Sequence, residues 1–389
     1  MEKIKIISTT KSWIETDAIS QLQYVSKMSG MSYVVGLPDL HPGRGYPIGM
    51  ACLSKERLYP ALIGNDIGCG MGFWMLDSQI KKVNLDRWEK NLRQSAFSDQ
   101  RQWTKEAYSL LSGKLEANLF EERSNLLDEF AASMGTVGGG NHFAEIQKVK
   151  KVFSEEIFFS LGMKKKNLFV LVHSGSRGLG NSILRNHIDQ YDHKGLVNGS
   201  DEAFEYLSQH DLALRWAQVN RKIIAKRIMK SIKSTGKEIL DVNHNFMEQV
   251  DCELGKGWLH RKGATPSDRE YVVIPGSRGS SSFLVKPKVS MDSLFSLAHG
   301  AGRKWKRSEC EGRLRDKYKF KEMARTAIGS RVICDDKALV YEEAPEAYKS
   351  IDSVIQALLD FDLIELVAEF EPVLTYKNVK KDKACSSCY

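Results

Sequence analysis

Six side chains that can bind a metal ion or attack phosphorus lie in short, glycine-rich or polar segments of the sequence. Asp66 and Cys69 are three residues apart in an Asp-Ile-Gly-Cys turn flanked by glycines. Because glycine has no Cβ, such a turn lets a carboxylate and a thiolate converge on one point. The other four side chains are the imidazoles of His142, His173, His244 and His299.

Five of these residues form a mixed set of oxygen, sulfur and nitrogen donors. Such a set suits manganese, zinc, iron or cobalt and does not suit calcium or magnesium. A single cysteine or histidine is commonly a core residue, so the hypothesis depends on their joint occurrence at the ends of apolar runs. The candidate ligands for one or two metal ions are Asp66, Cys69, His142, His173 and His244.

Two further patterns indicate phosphate chemistry. His299 begins the segment HGAGR and is either another metal ligand or a nucleophile toward phosphorus, because neutral imidazole attacks phosphoryl groups and leaves them easily. The sequence GSRG occurs twice, at 175–178 and at 276–279. Backbone N–H groups in such loops bind anions, and the adjacent arginine can bind phosphate through two hydrogen bonds.

The segment NHFAE (141–145) combines an aromatic ring with a carboxylate. If this segment is extended, Phe143 and Glu145 lie on the face opposite His142. The ring would stack on a purine, and the carboxylate would accept hydrogen bonds from guanine. The sequence has no Walker-type phosphate loop, so a nucleotide must be held in another way.

Strands that run into glycine-rich loops, separated by long helices, must position these residues. Residues 169–172 and 271–274 have the apolar pattern of strands that precede the two GSRG loops. Residues 202–234 and 351–369 have the apolar spacing of helices. Since the strands and helices do not alternate regularly, we expect an α+β fold of β-sheets flanked by helices in a single large domain.

Composition narrows the class of protein. The 389 residues are 42% hydrophobic, which argues against a disordered chain. No uncharged apolar run of roughly 18 residues and no signal-peptide pattern occurs, which predicts neither a membrane helix nor secretion. The seven cysteines do not form a disulfide framework, so we expect a cytoplasmic protein. Cys385 and Cys388 form a terminal Cys-x-x-Cys pair that could hold zinc or a disulfide.

Positive charge is concentrated in residues 303–321. This segment has nine Lys or Arg and three Asp or Glu, so it contributes +6 of the formal net charge of +8. Trp305, Tyr318 and Phe320 are interleaved with the charges. The pattern suits a polyanion such as nucleic acid, and the alternative is a solvated helix face with a chance cluster of charges.

In the order in which they occur, the glycine-rich and polar blocks of the chain resemble the RtcB family of GTP-dependent RNA ligases. The resemblance extends from about residue 31 to 377 and implies a ligase domain over 1–377 followed by a tail over 378–389. It is carried by LPDLHPGRGYPIG, GNDIGCGM, GTVGGGNHFAEI, LVHSGSRGLGN, DVNHNF, HRKGAT, VIPGSRGSSSFLV, LAHGAGR and EAPEAYKSID.

The resemblance implies a role for each candidate residue. The five candidate ligands would bind two Mn²⁺ ions, with Cys69 bridging them, and His299 would carry GMP covalently after attack on GTP. Arg278 stands where many family members have an uncharged residue, which implies an added phosphate or RNA contact. The implied GTP or GMP contacts are Asn141, His142, Phe143, Ala144, Glu145, His244, Asn245, Pro275, Gly276, Ser277, Arg278, Ser282, His299, Gly300, Ala301, Gly302 and Lys377.

The implied activity is the joining of an RNA 3′-phosphate or 2′,3′-cyclic phosphate end to a 5′-hydroxyl end, in RNA repair or tRNA splicing. An alternative is a dinuclear metal-dependent phosphoesterase acting on RNA or nucleotides, which would use the same ligands without His299. A non-catalytic RNA-binding protein or a redox-metal sensor is a third possibility. The resemblance leaves open an activating protein partner and the oligomeric state, with a monomer favoured and no membrane association.

Overall fold

The computed structural model describes residues 3–10, 12–95, 100–113 and 124–379. The strands are β1 (Ile4–Ile6), β2 (Met31–His41), β3 (Ile48–Ser54), β4 (Arg57–Leu58), β5 (Gly70–Gln79), β6 (Phe143–Val152), β7 (Asn167–Ser174), β8 (Leu196–Val197), β9 (Gly236–Asn243), β10 (Asn245–Cys252), β11 (Gly255–Lys262), β12 (Ala264–Pro266), β13 (Val272–Pro275), β14 (Ser282–Pro287), β15 (Ser296–Ala298), β16 (Arg331–Cys334) and β17 (Ile364–Asn378). The helices are α1 (Thr16–Ser26), α2 (Leu85–Ser95), α3 (Gln100–Ser112), α4 (Ser124–Phe130), α5 (Glu155–Ser160), α6 (Gly178–Tyr191), α7 (Asp201–Ser231), α8 (Arg307–Leu314), α9 (Lys337–Glu342) and α10 (Ile351–Asp360). Short 3₁₀ turns cover Pro60–Ile63, Ile80–Lys82, Ala131–Ser133, Met291–Ser293, Glu322–Ala324 and Pro345–Ala347.

Two sheets form the framework. The larger has the strand order β13-β14-β17-β6-β7-β5-β9, with β16 beside β17, and the smaller has the order β1-β2-β3-β11-β10. Adjacent strands are antiparallel except in the pairs β1–β2 and β16–β17. Mainly antiparallel sheets with helices beside them confirm the predicted α+β class.

A shared hydrophobic core joins the two sheets. Val35 and Leu259 of the smaller sheet pack in one buried cluster with Ile274 and Val285 of the larger sheet and with Leu358 of α10. All five side chains are fully buried. Burial of this apolar surface stabilises the two sheets as one folded unit.

Helix α7 lies against β5 and β7 of the larger sheet. The Ser200 hydroxyl accepts a hydrogen bond from the backbone N–H of Ala203 at 3.2 Å and so caps the start of the helix. Trp216 and Ile223 are fully buried in its packed face. This helix confirms the prediction over 202–234. As a separate finding, no helix of the described residues is long and apolar enough to cross a membrane.

The prediction of a helix over 351–369 is wrong in its second half. Helix α10 ends at Asp360, and the chain reverses through Asp362, whose φ is +53°, before it enters β17. Strand β17 then pairs with β14 on one side and β6 on the other. These long-range hydrogen bonds decide the conformation over local apolar spacing. The strands predicted at 169–172 and 271–274 are present as β7 and β13.

Candidate active site

The predicted metal ligands meet at one edge of the larger sheet because its neighbouring strands run antiparallel. Strand β5 begins directly after Cys69, and its first residue pairs with the last residues of β7 and β9. His173 is the penultimate residue of β7 and His244 directly follows β9, so both lie beside Cys69. His142 directly precedes β6, whose first residue pairs with His173.

The donor atoms of these residues converge. The Cys69 Sγ atom lies 3.3 Å from His142 Nε2 and 3.2 Å from His173 Nε2. His173 Nε2 lies 3.3 Å from His244 Nε2, and an Asp66 carboxylate oxygen lies 2.8 Å from His142 Nε2. The structure therefore brings all five predicted ligands into one cluster.

Unpaired polar atoms in this cluster fit a metal site. Among the described residues, the buried atom Asp66 Oδ1 has no hydrogen-bond partner, and the Nε2 atoms of the three histidines lie against one another, Cys69 and Asp66. Buried polar atoms without partners are rare in folded proteins and call for an explanation such as a bound ion. Carboxylate, thiolate and imidazole donors together match the ligands of manganese, zinc, iron or cobalt.

The electrostatics of the cluster favour neutral imidazoles. Burial lowers the pKa of His173 and of His244 well below the ordinary value, and neighbouring histidine rings such as His299 lower it further. Burial also raises the pKa of the Cys69 thiol well above its ordinary value, with the Asp66 carboxylate adding to the effect. Neutral imidazoles keep their lone pairs for a metal, whereas the thiol needs a nearby cation in order to ionise.

A buried arginine that the sequence analysis missed holds the ligand-bearing segments together. Arg221 of α7 donates from Nη1 to the carbonyl oxygens of Gly68 at 2.7 Å and Ser174 at 2.9 Å. Its Nε donates to the Asp241 carboxylate at 2.9 Å. These partners adjoin the start of β5, the end of β7 and β9, so one guanidinium fixes three strand ends. The only sequence signal is an arginine in an apolar stretch of helix.

His299 stands beside the metal-ligand cluster. His299 directly follows β15, which pairs with β12. Ala264, the first residue of β12, donates its N–H to the His244 carbonyl oxygen at 3.0 Å, so the two strands bring His299 close to His244. The His299 and His244 ring centroids are 4.7 Å apart. His299 Nδ1 lies 2.5 Å from Oδ2 of the fully buried Asp39, which also accepts from the His299 backbone N–H.

Asp39 is a second residue that the sequence analysis missed. It lies in β2, inside the block LPDLHPGRGYPIG, where a carboxylate interrupts an apolar strand. A carboxylate at Nδ1 fixes the imidazole tautomer and leaves Nε2 of His299 with a free lone pair. The orientation of His299 is thus set by a strand of the smaller sheet, although the neighbouring ring of His244 follows a strand of the larger sheet.

One cavity of about 1110 Å³ joins the cluster, His299 and the predicted nucleotide contacts. Ala144 and Ser282 do not line it: Ala144 packs in the core, and the Ser282 hydroxyl accepts a hydrogen bond from Gln147 Nε2 at 2.8 Å. The predicted residues that line the cavity are Asp66, Cys69, Asn141, His142, Phe143, Glu145, His173, His244, Asn245, Pro275, Gly276, Ser277, Arg278, His299, Gly300, Ala301, Gly302 and Lys377.

The predicted purine site contains a buried carboxylate with a raised pKa. Glu145 accepts hydrogen bonds from Thr375 Oγ1 at 2.5 Å and from Gln147 Nε2 at 2.7 Å. Burial outweighs these two bonds and raises the pKa of Glu145 to about 7. Phe143 does not lie opposite His142, since both rings lie against His173, at centroid distances of 5.6 and 5.1 Å. The reason is that His142 precedes the strand, so the two-residue alternation starts after it.

Lys377 reaches the same cavity and shares a carboxylate with the basic segment. Its ammonium donates to the Gly140 carbonyl oxygen at 2.9 Å and lies 3.5 Å from Glu343 Oε2. Arg303 Nη1 donates to Glu343 Oε1 at 3.1 Å, and Arg307 Nε lies 3.7 Å from the same oxygen. Burial opposes ionisation of Glu343, but Lys377 and the two arginines lower its pKa to about 2.

The basic segment divides into two parts. Residues 303–308 line the cavity, and Trp305 is one of them. Farther along, Arg313 and Arg315 form ion pairs with glutamates one helical turn earlier in the sequence, at 2.9 and 2.7 Å. The first part therefore fits the polyanion hypothesis, whereas the ion pairs of Arg313 and Arg315 fit the alternative of a solvated helix face. The terminal pair Cys385 and Cys388 lies outside the described residues.

Comparison with known proteins identifies the family. The family model described as tRNA-splicing ligase RtcB matches residues 21–124 and 98–378. An RNA-splicing ligase RtcB2 of Escherichia coli (strain ATCC 25922) is 50% identical over 96% of this chain and 95% of its own length. A tRNA-splicing ligase RtcB of Nanoarchaeum equitans is 29% identical over 97% of this chain and 93% of its own length. An RNA-splicing ligase RtcB of Escherichia coli (strain K12) is 28% identical over 94% of this chain and 95% of its own length.

The chain belongs to the RtcB family. The resemblance found in the sequence blocks is confirmed over nearly the whole chain. Family membership supports an RNA ligase role and does not favour the phosphoesterase alternative.

Proposed function

We propose that this protein is a GTP- and manganese-dependent ligase that joins an RNA 3′-phosphate end to an RNA 5′-hydroxyl end through GMP bound covalently to His299. One observation carries the proposal. His299, oriented by Asp39 at 2.5 Å, lies in a single cavity between the metal-ligand cluster and the predicted nucleotide contacts. A phosphoesterase using the same ligands would have no need of this oriented imidazole.

The first step uses His299 as the nucleophile. Its Nε2 lone pair forms a bond to the α-phosphorus of GTP, and the bond to the leaving pyrophosphate breaks. Asp39 accepts the Nδ1 proton in a hydrogen bond and stabilises the positive charge that develops on the ring. The purine lies against Phe143, and the Glu145 carboxylate accepts from guanine N1–H and the N2 amine.

The next two steps consume the RNA ends. An oxygen of the RNA 3′-phosphate attacks the α-phosphorus of the bound GMP, and the P–N bond to His299 breaks. The 5′-hydroxyl oxygen of the second RNA then attacks the activated 3′-phosphorus, its proton passes to solvent water, and GMP leaves. A 2′,3′-cyclic phosphate end is first hydrolysed by water to the 3′-phosphate in the same site.

Manganese would be held by Asp66, Cys69, His142, His173 and His244, and when bound there it would neutralise phosphate charge and polarise P–O bonds. The cavity-lining residues 303–308 and the two GSRG arginines supply positive charge for the RNA and nucleotide phosphates. The roles of Lys377, Ala144 and Ser282 as nucleotide contacts stay predictions from the family resemblance. Five further features also stay predictions: the ligase domain over 1–377, the tail over 378–389, the cytoplasmic location, the activating partner and the monomeric state.

Covalent labelling tests the proposal. Incubated with manganese and GTP labelled at the α-phosphorus, the native protein should gain label that is stable to denaturation, and His299→Ala should gain none. His187→Gln is a suitable control, because His187 contacts Tyr191 and Tyr206 in the interior and does not line the cavity. Label retained by His299→Ala removes His299 from the role, and absence of label in the native protein revives the phosphoesterase.

A second experiment addresses the physiological RNA. Ligation measured on a panel of broken tRNA and rRNA fragments ending in 3′-phosphate separates a role in splicing from a role in repair.

A further inference from the structure

One arm of the large cavity is used by none of the roles above. Its walls come from the loop before β3, the 3₁₀ turn Pro60–Ile63, helix α6 and the end of β11. Ala61 and Leu184 are buried core residues that form an apolar floor. The arm is lined by Tyr46, Ala61, Leu184, Ile188, His193 and Lys262.

Two rings form an aromatic wall in this arm. The Tyr46 and His193 ring centroids are 5.9 Å apart, and the two polar atoms Tyr46 Oη and His193 Nδ1 lie 3.4 Å apart. Toward solvent, the ring of Tyr24 lies 6.3 Å from that of Tyr46 and is 59% exposed. Rings that run from the surface into a cavity are typical of sites where single-stranded nucleic acid stacks its bases.

A buried cation lies at the inner end of the arm. Lys262 Nζ donates to the Tyr46 carbonyl oxygen at 2.9 Å, and no carboxylate of the described residues pairs with it. Burial alone lowers the pKa of Lys262 to about 8. The ammonium group has three N–H donors and uses one of them on Tyr46, so a bound anion would accept a hydrogen bond from another.

The inner end also adjoins the proposed reaction centre. A Cβ atom on Gly263, the next residue after Lys262, would lie 2.9 Å from His299 Cε1. On the other side, a Cβ atom on Gly64 would lie 3.3 Å from Lys262 Cε, and Gly64 is two residues before Asp66. Lys262 thus lies between the segment that packs on the nucleophile and the segment that carries a metal ligand.

We propose that this arm binds the terminal nucleoside of the RNA strand that ends in a 3′-phosphate. The base lies against Tyr46 and His193 over the apolar floor, and the terminal phosphate lies beside Lys262. The inference rests on the proposed ligase function and adds the binding site for one substrate strand. The 5′-hydroxyl strand is the less suitable occupant, because its end carries no phosphate to meet a cation beside His299.

The contact is expected to depend little on which base is present. Stacking and apolar contact accept every base, since each has a π face. Arg44, exposed on the same loop as Tyr46, lines the cavity and can meet a phosphate farther along the strand. Sequence tolerance at the 3′ end is therefore a direct consequence of the arm's chemistry.

Removal of single bases tests the site. Ligation kinetics are measured with a 3′-phosphate strand whose terminal nucleoside is intact or abasic, and with a 5′-hydroxyl strand altered in the same way. For the native protein, the abasic 3′ end should raise KM for its strand by about 10-fold to 100-fold, the range expected for one stacked base. In His193→Ala the same change should raise KM by less than about threefold, because the wall is already incomplete.

His193 is exposed, so this variant should fold normally, and Lys194→Ala, exposed and outside the cavity, should keep the native response. An equal abasic effect in native protein and His193→Ala overturns the proposal, as does an effect that appears on the 5′-hydroxyl strand instead. Covalent GMP labelling needs no RNA, and His193→Ala should keep it. Loss of labelling in the native protein would instead mean that the ligase function itself is wrong.

Discussion

The sequence Gly-Ser-Arg-Gly occurs twice, and its two copies have different structures. At 175–178 it joins strand β7 to helix α6, with Arg177 at a φ of +60°. At 276–279 it joins β13 to β14, and the connection is closed by a hydrogen bond from Gly276 N–H to the Ser281 carbonyl oxygen at 2.9 Å. The same four residues therefore enter a helix in one place and form a hairpin in the other.

The two loops also serve opposite ends of the cavity. Gly175 packs on Asp66, so the first loop supports one of the predicted metal ligands. The second loop follows Pro275, whose carbonyl oxygen would lie 3.2 Å from a Cβ atom on Gly300, next to His299, so that loop begins beside the predicted nucleotide contacts. Both loops bury an arginine nitrogen that lacks a partner among the described residues, Arg177 Nε and Arg278 Nη1. The elements that a loop connects decide which end it serves, and one buried, unpaired guanidinium nitrogen is what the copies share.

The largest effect is expected from Gly175→Ala. The new Cβ atom would lie 2.2 Å from Asp66 Oδ1, so the carboxylate must move away from the metal ligands. We expect manganese binding, measured by calorimetry, to weaken and ligation to fall by about 1000-fold or more, the scale of losing transition-state contacts. Gly312→Ala is a control, since no atom lies within 4 Å of its Cβ position. Native manganese affinity in Gly175→Ala would show that this loop does not hold the metal end.

Asp39→Asn tests the orientation of His299, which lies between the metal end and the nucleotide end of the cavity. The amide cannot stabilise a charged His299 ring and can hold the wrong tautomer, so GMP labelling should slow by about 100-fold. Manganese affinity should stay native, because Asp39 belongs to neither loop nor the ligand cluster. The exposed Asp292→Asn serves as a control. Labelling at the native rate would mean that Asp39 does not orient the nucleophile.

Replacing Arg177 or Arg278 by alanine should affect a different substrate in each variant, because the two arginines lie at different ends of the cavity. Arg278→Ala should raise KM for GTP by about 10-fold to 100-fold through loss of a buried charge-assisted contact, with little change in KM for RNA. Arg177→Ala, beside Asp66, should show the reverse pattern, with the larger change for RNA. KM values for both substrates in both variants provide the measurement. The same substrate affected in both variants would remove the division between the loops.

The ligand set could be predicted from the sequence because each ligand lies in a short block with its own glycine or polar signal. Asp66 and Cys69 share one turn, and His173 ends an apolar run. The nearness of these blocks could not be derived from spacing, since it depends on the antiparallel register of β5, β7 and β9. Family resemblance supplied that link.

The supporting residues could not be predicted in the same way. Arg221 acts through carbonyl groups on strands far away in the sequence, and carbonyl positions leave no sequence pattern. Asp39 shows its role only when β15 brings His299 against β2. The error over 351–369 has a similar cause, because β17 is specified by its two partner strands and only weakly by its own spacing.

The smallest expected effect is a pH response that only the nucleotide end should show. Burial lowers the pKa values of His173 and His244 at the metal end well below the ordinary range, whereas burial raises the pKa of Glu145 to about 7. The ionised carboxylate accepts hydrogen bonds from guanine, so KM for GTP in the labelling reaction should fall about tenfold from pH 6 to 8.

The same carboxyl group should change the stability of the fold with pH. Because its folded-state pKa lies above the ordinary 4.5, the stability that Glu145 contributes is fully present below pH 4.5 and is lost as the pH rises through 7. The free energy of unfolding in urea should therefore decrease over the range in which GTP binding improves, and Glu145→Gln should remove both trends. A KM for GTP that does not vary with pH would mean that Glu145 does not contact the guanine.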